Sequence, residues 1–250
     1  MATELIIPVN LIRGGIPLAS GYPPERMSSL RSSLLFADFS SGETEEVTAL
    51  AKDRSFQRND VLFMQGQQTK EIFILSSGTL KLTQLSYGGS EVILWLNRTG
   101  DAVGIAGIVG DGHHTSTARV VLPCTAFSWN CAKLLSLPQI GTKIRRNINV
   151  ILSGQLVELE ERFREIATEK VARRVALALL RIADQVTCRA PGPVEVYLSR
   201  EEIAQLTGTT IFAISRLVTQ WHERGICLPR REAIVIVRRD LLAIAAGRDA

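Results

Sequence analysis

Ile211, Phe212, Ser215, Arg216 and Thr219 recur at steps of three and four, on one side of a helix whose other side, Ile214, Leu217, Val218 and Trp221, must face a core. An arginine placed there can give two parallel N–H bonds to the O6 and N7 edge of a guanine, and apolar side chains beside it can meet thymine methyl groups. Ile and Phe exposed in the first turns of a helix suit a major groove better than water. The chemistry on offer is recognition of base edges.

Positioning such a helix requires a fixed partner. Ser199 and Glu202 have the spacing of a capping box, in which the hydroxyl accepts from the backbone N–H three residues on and the carboxylate reaches back. Ile203 and Leu206 give the short helix they start a buried side, Gly208 permits the positive φ of a tight turn, and Thr209 or Thr210 can cap the next helix. A packed helical hairpin, with Ile211 and Phe212 buried against a neighbour, would share this pattern. The residues after Trp221 bear on the choice. Ile226 to Leu228 and Ala233 to Val237 are apolar, β-prone runs around Pro229-Arg230-Arg231-Glu232, which reads as a basic hairpin and completes a winged helix. Ser199, Thr209, Thr210, Ile211, Phe212, Ser215, Arg216, Thr219, Arg230 and Arg231 are the candidate contacts to double-stranded DNA.

The charge supports that reading. Residues 170–250 hold 13 Lys and Arg against 8 Asp and Glu, whereas residues 1–169 hold 16 against 17, so the excess of +4 lies wholly in the last third. A local cationic excess supplies most non-specific affinity for phosphates. With 46% apolar and 22% charged residues the composition is that of a soluble globular protein, and no apolar run approaches the ~18 residues of a membrane helix. Pro8, Gly14, Gly15 and Pro17 interrupt the apolar residues near the N-terminus and no basic segment precedes them, so no signal peptide and a cytoplasmic location are expected. Cys124, Cys131, Cys188 and Cys227 make neither a C-x-x-C pair nor a zinc spacing and read as unpaired thiols.

By pattern the chain falls into four parts. Residues 1–30 are punctuated by Pro, Gly and Ser and read as an extended arm. Residues 31–139 carry short apolar runs, including Val61 to Phe63, Ile72 to Leu75, Leu80 to Leu85 and Val92 to Leu96, parted by turn signals at Gly66, Gly78, Gly88-Gly89 and Gly100. That spacing is the mark of a β sandwich or barrel. Residues 140–167 then repeat apolar residues at helical steps, from Ile144 and Ile148 to Phe163 and Ile166, for a helix of ~28 residues and about 42 Å. Its apolar surface exceeds what one neighbour can cover, so one stripe is expected on the β domain and another on the same helix of a second copy. Thr168 reads as the cap of the next helix, which opens a C-terminal domain over 168–250.

In this order, and on Phe63-x-Gln65-Gly66, Ile74-x-x-x-Gly78-x-Leu80-Lys81, Gly100-Asp101-x-Val103-Gly104 and the helix pair between Ser199 and Ile226, the chain resembles the Crp/Fnr family of bacterial transcription regulators. The resemblance covers nearly everything after residue 34. It implies an α+β protein: an effector-sensing double-stranded β-helix (a β roll like that of cyclic-nucleotide-binding domains), a long dimerisation helix and a C-terminal winged helix-turn-helix. It further implies a homodimer that binds a near-palindromic site and works with RNA polymerase. Leu82, Gly104, Ile105, Ala106, Thr115 and Ser116 would then line the effector pocket, and Ile144, Ile148, Leu152, Gln155 and Leu159 the dimer interface.

Departures from the family pattern bear on mechanism. Members similar to the catabolite activator protein carry a Glu and an Arg for the cyclic nucleotide where this chain has Ile105 and Thr115. Losing a charge-assisted hydrogen bond of about 1.5–3 kcal/mol and a neutral one of about 1 kcal/mol should lower cyclic AMP affinity by two orders of magnitude or more. Arg119 shares the face of Thr115 but lies ~13 Å further along a strand and is not expected to compensate. The cysteines of the oxygen-sensing Fnr branch, which lie ahead of its roll, have no counterpart before Cys124, so an iron–sulfur cluster of that kind is not expected. Cyclic AMP is thus not expected as the effector: either the roll senses another, unidentified small molecule or it has lost sensing, with no cofactor and no metal expected. A haem- or redox-linked gas sensor using His113 and His114 is the alternative within the family. Where Fnr-like members read cytosine with a Glu, this chain has Phe212, so its half-site should share the Arg-read guanine and differ at that base. A cupin-type metalloenzyme is the alternative of another class, but His113, His114 and His222 are the only histidines and cannot make its ligand set. No catalytic residues and no membrane partner are expected.

Overall fold

The computed structural model describes residues 24–186 and 192–247. Most of the N-terminal arm therefore lies outside the described residues, as does Cys188. Residues 24–30, expected in the extended arm, instead belong to a helix, α1 (Pro24–Ser32). A 3-10 turn, Leu34–Phe36, and α2 (Ser41–Ala49) come next, the latter held by a Ser40–Glu43 capping box.

The strands β1 (Lys52–Phe56), β2 (Val61–Phe63), β3 (Glu71–Leu85), β4 (Glu91–Asn97) and β5 (Ala102–Val103), the short helix α3 (Ala106–Val109) and β6 (Thr117–Asn130) build the roll. All pairings are antiparallel. The sheet runs β1-β6-β3-β4, with β2 also on β6 and β5 on β3, and the long β3–β6 pair sets Ile72 opposite Trp129 and Leu82 opposite Ala118. Gly78, expected as a turn, is instead a bend inside one continuous strand: its φ is +82° and the register to β6 shifts on either side of it. A Cβ there would lie 2.4 Å from the Pro123 carbonyl oxygen, so only glycine lets β6 pass.

Alternation along β3 feeds two cores. Phe73, Leu75 and Leu80 join Phe63, Val103 and Val120 inside the roll, while Ile72 and Ile74 point the other way, to Leu35, Phe127, Trp129, Ile144 and Ile148. The Trp129 indole Nε1 donates to the Val47 carbonyl at 2.7 Å, and Asn147 Nδ2 donates to the Leu35 and Ala37 carbonyls at 3.0 Å. After α4 (Cys131–Leu135), the helix α5 (Pro138–Thr168) starts with proline at its first turn and runs for 31 residues, about 46 Å.

Two stripes on α5 have different owners. Ile144 and Ile148, expected at a dimer interface, are fully buried in the chain's own core beneath the roll. Leu152, Leu156, Leu159, Phe163 and Ile166, at steps of four, three, four and three, form the other stripe; from Leu156 on it is exposed, Phe163 to 71%. Leu152 is half-buried against the chain's own core, and Gln155, also half-buried, borders the stripe. Thr168 does not cap the next helix; it ends α5 and donates back to the Arg164 carbonyl.

The C-terminal domain comprises α6 (Val171–Val186), β7 (Val194–Val196), α7 (Arg200–Thr207), α8 (Ile211–Glu223), β8 (Cys227–Pro229), β9 (Ile234–Ile236) and α9 (Arg239–Ala245). The expected hairpin is present as β8–β9 and gains a third strand, β7, on β9. Val175, Leu179, Ile203, Ile214, Val218 and Trp221 fill its core, which also takes in Ile93 and Val121 from the roll. Arg174, in the first turn of α6, donates to the carbonyls of Ile166 and Glu169 at the end of α5 and to those of Thr207 and Gly208 at the turn between α7 and α8.

Candidate nucleic-acid interface

Local signals set the recognition helix. The Ser199 hydroxyl accepts from Glu202 N and the Glu202 carboxylate accepts from Ser199 N, so both halves of the capping box are made at the start of α7. Gly208 closes that helix at φ 60°, ψ 47°, the left-handed conformation expected of it, and Thr210 Oγ1 caps α8 by accepting from Ala213 N. Thr209 lies between them in the turn.

Ile214, Val218 and Trp221 turn inward, at 0%, 0% and 4% exposure, and the opposite face of α8 stands free. Phe212 is 77% exposed and Ile211 41%, which removes the reading of a buried hairpin face. Arg216 is exposed on the next turn. Thr219 Oγ1 donates to the backbone carbonyl of Ser215 at 3.0 Å, and Ser215, beside Arg216, is half-buried. In the wing, Arg230 pairs with Glu195 at 3.2 Å, whereas Arg231 forms no ion pair among the described residues. Glu232, between the wing strands, reaches Arg58 of the roll at 3.1 Å.

The roll and α5 grip this unit at two further points that the sequence did not mark as domain contacts. Lys81 on β3 places Nζ 2.8 Å from Glu202 Oε1, with both side chains largely buried. Arg162 on α5, 9% exposed, donates to the carbonyls of Ile93 and Leu94 on β4 and of Leu206 on α7, and lies over the Trp95 ring. Burial, with the Arg181 charge nearby, lowers its pKa; Arg181 itself holds Glu165 with both nitrogens, at 2.5 and 2.9 Å.

The residues expected to line an effector pocket lie in different surroundings. Leu82 packs on the roll's inner cluster, while Ile105, at 3% exposure, points into the separate core beneath α5. Gly104, φ +83°, backs onto the His114 and Phe63 rings, which stack at 3.7 Å between centroids. Ala106 opens α3, Ser116 is buried, and Thr115 is exposed with its carbonyl accepting from Gln84 Nε2. Arg119 donates to the Asn59 carbonyl. The two histidines part company: His113 is exposed beside Asp111, whereas burial lowers the pKa of His114. A metal or haem at His114 would have to reach a ring that is only 6% exposed. Burial pushes the thiols of Cys124, Cys131 and Cys227 up to about 11, which keeps them protonated.

Among the described residues no group of three or more His, Cys, Asp or Glu converges to hold a metal ion, and no helix is long and apolar enough to cross a membrane. The family model of the cyclic nucleotide-binding domain matches residues 53–139, and that of the Crp-like helix-turn-helix domain residues 173–244. The chain is 25% identical over 201 residues to the fumarate nitrate reduction regulatory protein of Klebsiella oxytoca, a match covering 80% of each chain. The fumarate and nitrate reduction regulatory protein of Escherichia coli K12 is likewise 25% identical over 200 residues, covering 79% of this chain and 80% of that one. Among solved structures, the c-di-GMP responsive global regulator CLP of Xanthomonas campestris aligns with a TM-score of 0.68 at 20% identity, covering 79% of this chain and 99% of that one. FixK2 of Bradyrhizobium japonicum aligns with a TM-score of 0.67 at 21% identity, covering 80% and 98%. A nucleotide-binding-type roll joined to a capped, exposed reading helix and wing, with regulatory proteins as relatives, places this chain in the Crp/Fnr family of DNA-binding transcription regulators.

Proposed function

We propose that the protein acts as a homodimer, joined along the seam Leu152, Leu156, Leu159, Phe163 and Ile166, that sets one α8 into each of two successive major grooves of a near-palindromic site. It responds to a small molecule other than cyclic AMP and works on RNA polymerase. The observation that carries the reading is the exposure of two unrelated surfaces at once: an apolar heptad stripe on α5 and the face of Phe212 and Arg216 on α8. A stripe of this kind is stable in water only when a second helix covers it. Two half-sites about one helical turn apart then double the phosphates neutralised and the bases read.

The effector assignment is supported by what occupies the nucleotide positions. Ile105 is part of a core and offers no acceptor to a ribose, and Thr115 offers no cation to a phosphate. Light scattering combined with binding selection on randomised DNA tests the whole reading. A dimer mass with a motif of inverted half-sites is the expected result, and a monomer that selects a single half-site overturns it. Calorimetry with cyclic AMP should show no micromolar binding.

A further inference from the structure

A cavity of about 970 Å³ opens between the two domains, walled by Trp95 and Leu122 of the roll, Gly154 and Glu158 of α5, and Ile182 and Tyr197 of the C-terminal domain. That volume matches sites for small organic molecules, and an occupant would touch the roll and the DNA-reading domain together.

Three properties of the walls define what fits. The cationic donors are already committed: Arg162 to three backbone carbonyls, Arg181 to Glu165 and Arg98 Nη1 to the Gln185 carbonyl. The acceptors are not. Asn97, which lines the cavity at 4% exposure, has an Oδ1 with no hydrogen-bond partner, and Glu158 acts on Arg162 through its charge but makes no hydrogen bond or ion pair among the described residues. A buried acceptor left without a donor is costly, and a ligand that brings one relieves that cost.

Gly154 is the third property. It stands in the interior of α5, where glycine weakens a helix, yet nothing lies within 4 Å of where its Cβ would be. Two residues from both Leu152 and Leu156, it faces away from the dimer seam, so close approach of a second helix does not explain it. What its missing side chain does is keep the cavity open.

We propose that this interdomain cavity binds an apolar molecule carrying hydrogen-bond donors, an aromatic or aliphatic amine, and that occupancy changes DNA affinity. The proposal rests on the regulatory reading above and names the site and chemical class of its effector. Because the walls come from both domains, any occupant whose affinity depends on their relative placement shifts that placement reciprocally.

The probe is N-phenyl-1-naphthylamine, whose fluorescence rises in apolar surroundings, with 1-benzylnaphthalene as an isostere in which CH2 replaces NH, both applied to the full-length protein. The amine should bind with energy transfer from Trp95 and at least tenfold more tightly than the isostere, which is measured by displacement. Gly154→Phe, whose Cβ would stand in open space and whose ring would take up part of the cavity, should weaken the amine at least tenfold while circular dichroism shows an unchanged fold. Asn97→Leu combined with Glu158→Gln should keep isostere binding and bring the preference for the amine close to unity. Saturating amine should change affinity for the selected DNA site at least fivefold. Equal binding of the two probes by wild type, undiminished amine binding in the Gly154→Phe protein, or DNA affinity indifferent to saturation overturns the proposal. Absence of any DNA selectivity in the unliganded and liganded protein alike is a failure of the regulatory reading instead.

Discussion

Lys81 Nζ lies 2.8 Å from Glu202 Oε1, and the same Glu202 carboxylate accepts from Ser199 N to start the first helix of the DNA-reading pair. The roll therefore holds the helix-turn-helix through the group that caps it. Lys81→Met should cost about 1–3 kcal/mol, because it leaves a largely buried carboxylate without its cation. Urea denaturation is expected to split into two transitions as the domains uncouple. A single transition at the wild-type midpoint would show that the pair contributes nothing.

The same contact sets an acid limit. Burial works to raise the Glu202 pKa, but the hydrogen bonds from Lys81 and Ser199 N more than offset it and hold the carboxyl below its ordinary value of 4.5. A carboxyl depressed in the folded state stabilises fully above its unfolded pKa and loses that contribution as pH falls through the folded value. Domain coupling should therefore be flat from neutral pH to about 5 and fall below about 4.5. Glu202→Gln should flatten that limb in denaturation curves taken across the range.

The two stripes of α5 should respond oppositely to an acidic substitution. Phe163→Asp on the exposed seam is expected to halve the mass seen by light scattering with little loss of fold. Ile148→Asp, which places a charge in the core beneath the roll, should cost about 3 kcal/mol or more and unfold that domain before it dissociates anything. A dimeric Phe163→Asp protein would move the interface elsewhere.

On DNA, Arg216→Ala should cost ~1–3 kcal/mol on the best site and erase the preference at one base pair per half-site. Arg231→Ala, in the wing, should weaken all sequences alike and reduce the salt slope by about one per site, with a smaller effect for Arg230, whose charge Glu195 already balances. Phe212→Glu restores an acceptor and should shift the selected base toward cytosine. Uniform weakening by Arg216→Ala, with the motif unchanged, would mean that α8 does not read bases in this orientation.

The reading helix was legible in the sequence because its determinants are local: Ser199, Glu202, Gly208 and Thr210 each act within four residues of themselves. Gly78 was not, since a glycine at a turn and one at a bulge share a local signature and only the passage of β6 distinguishes them. Ile144 and Ile148 were misplaced for a related reason. Both stripes of α5 obey helical spacing, and which one meets the chain's own roll depends on the rotation of the helix against neighbours far away in sequence. Arg162 gave no signal at all, because a lone arginine on a helix looks solvated until three distant carbonyls converge on it. Leu82 and Ile105, expected in one pocket, pack in different apolar clusters, which their sequence positions do not reveal.

The four carbonyls gathered by Arg174 make the α5–α6 junction a detent. One guanidinium thus serves acceptors at the end of α5 and at the α7–α8 turn together, so a rotation of the reading domain about that joint would draw on all four bonds. Packed joints of this kind have discrete settings. If the proposed effector acts through this joint, an intermediate concentration of it should divide the population between seated and released copies, and promoter output would follow the fraction that has switched.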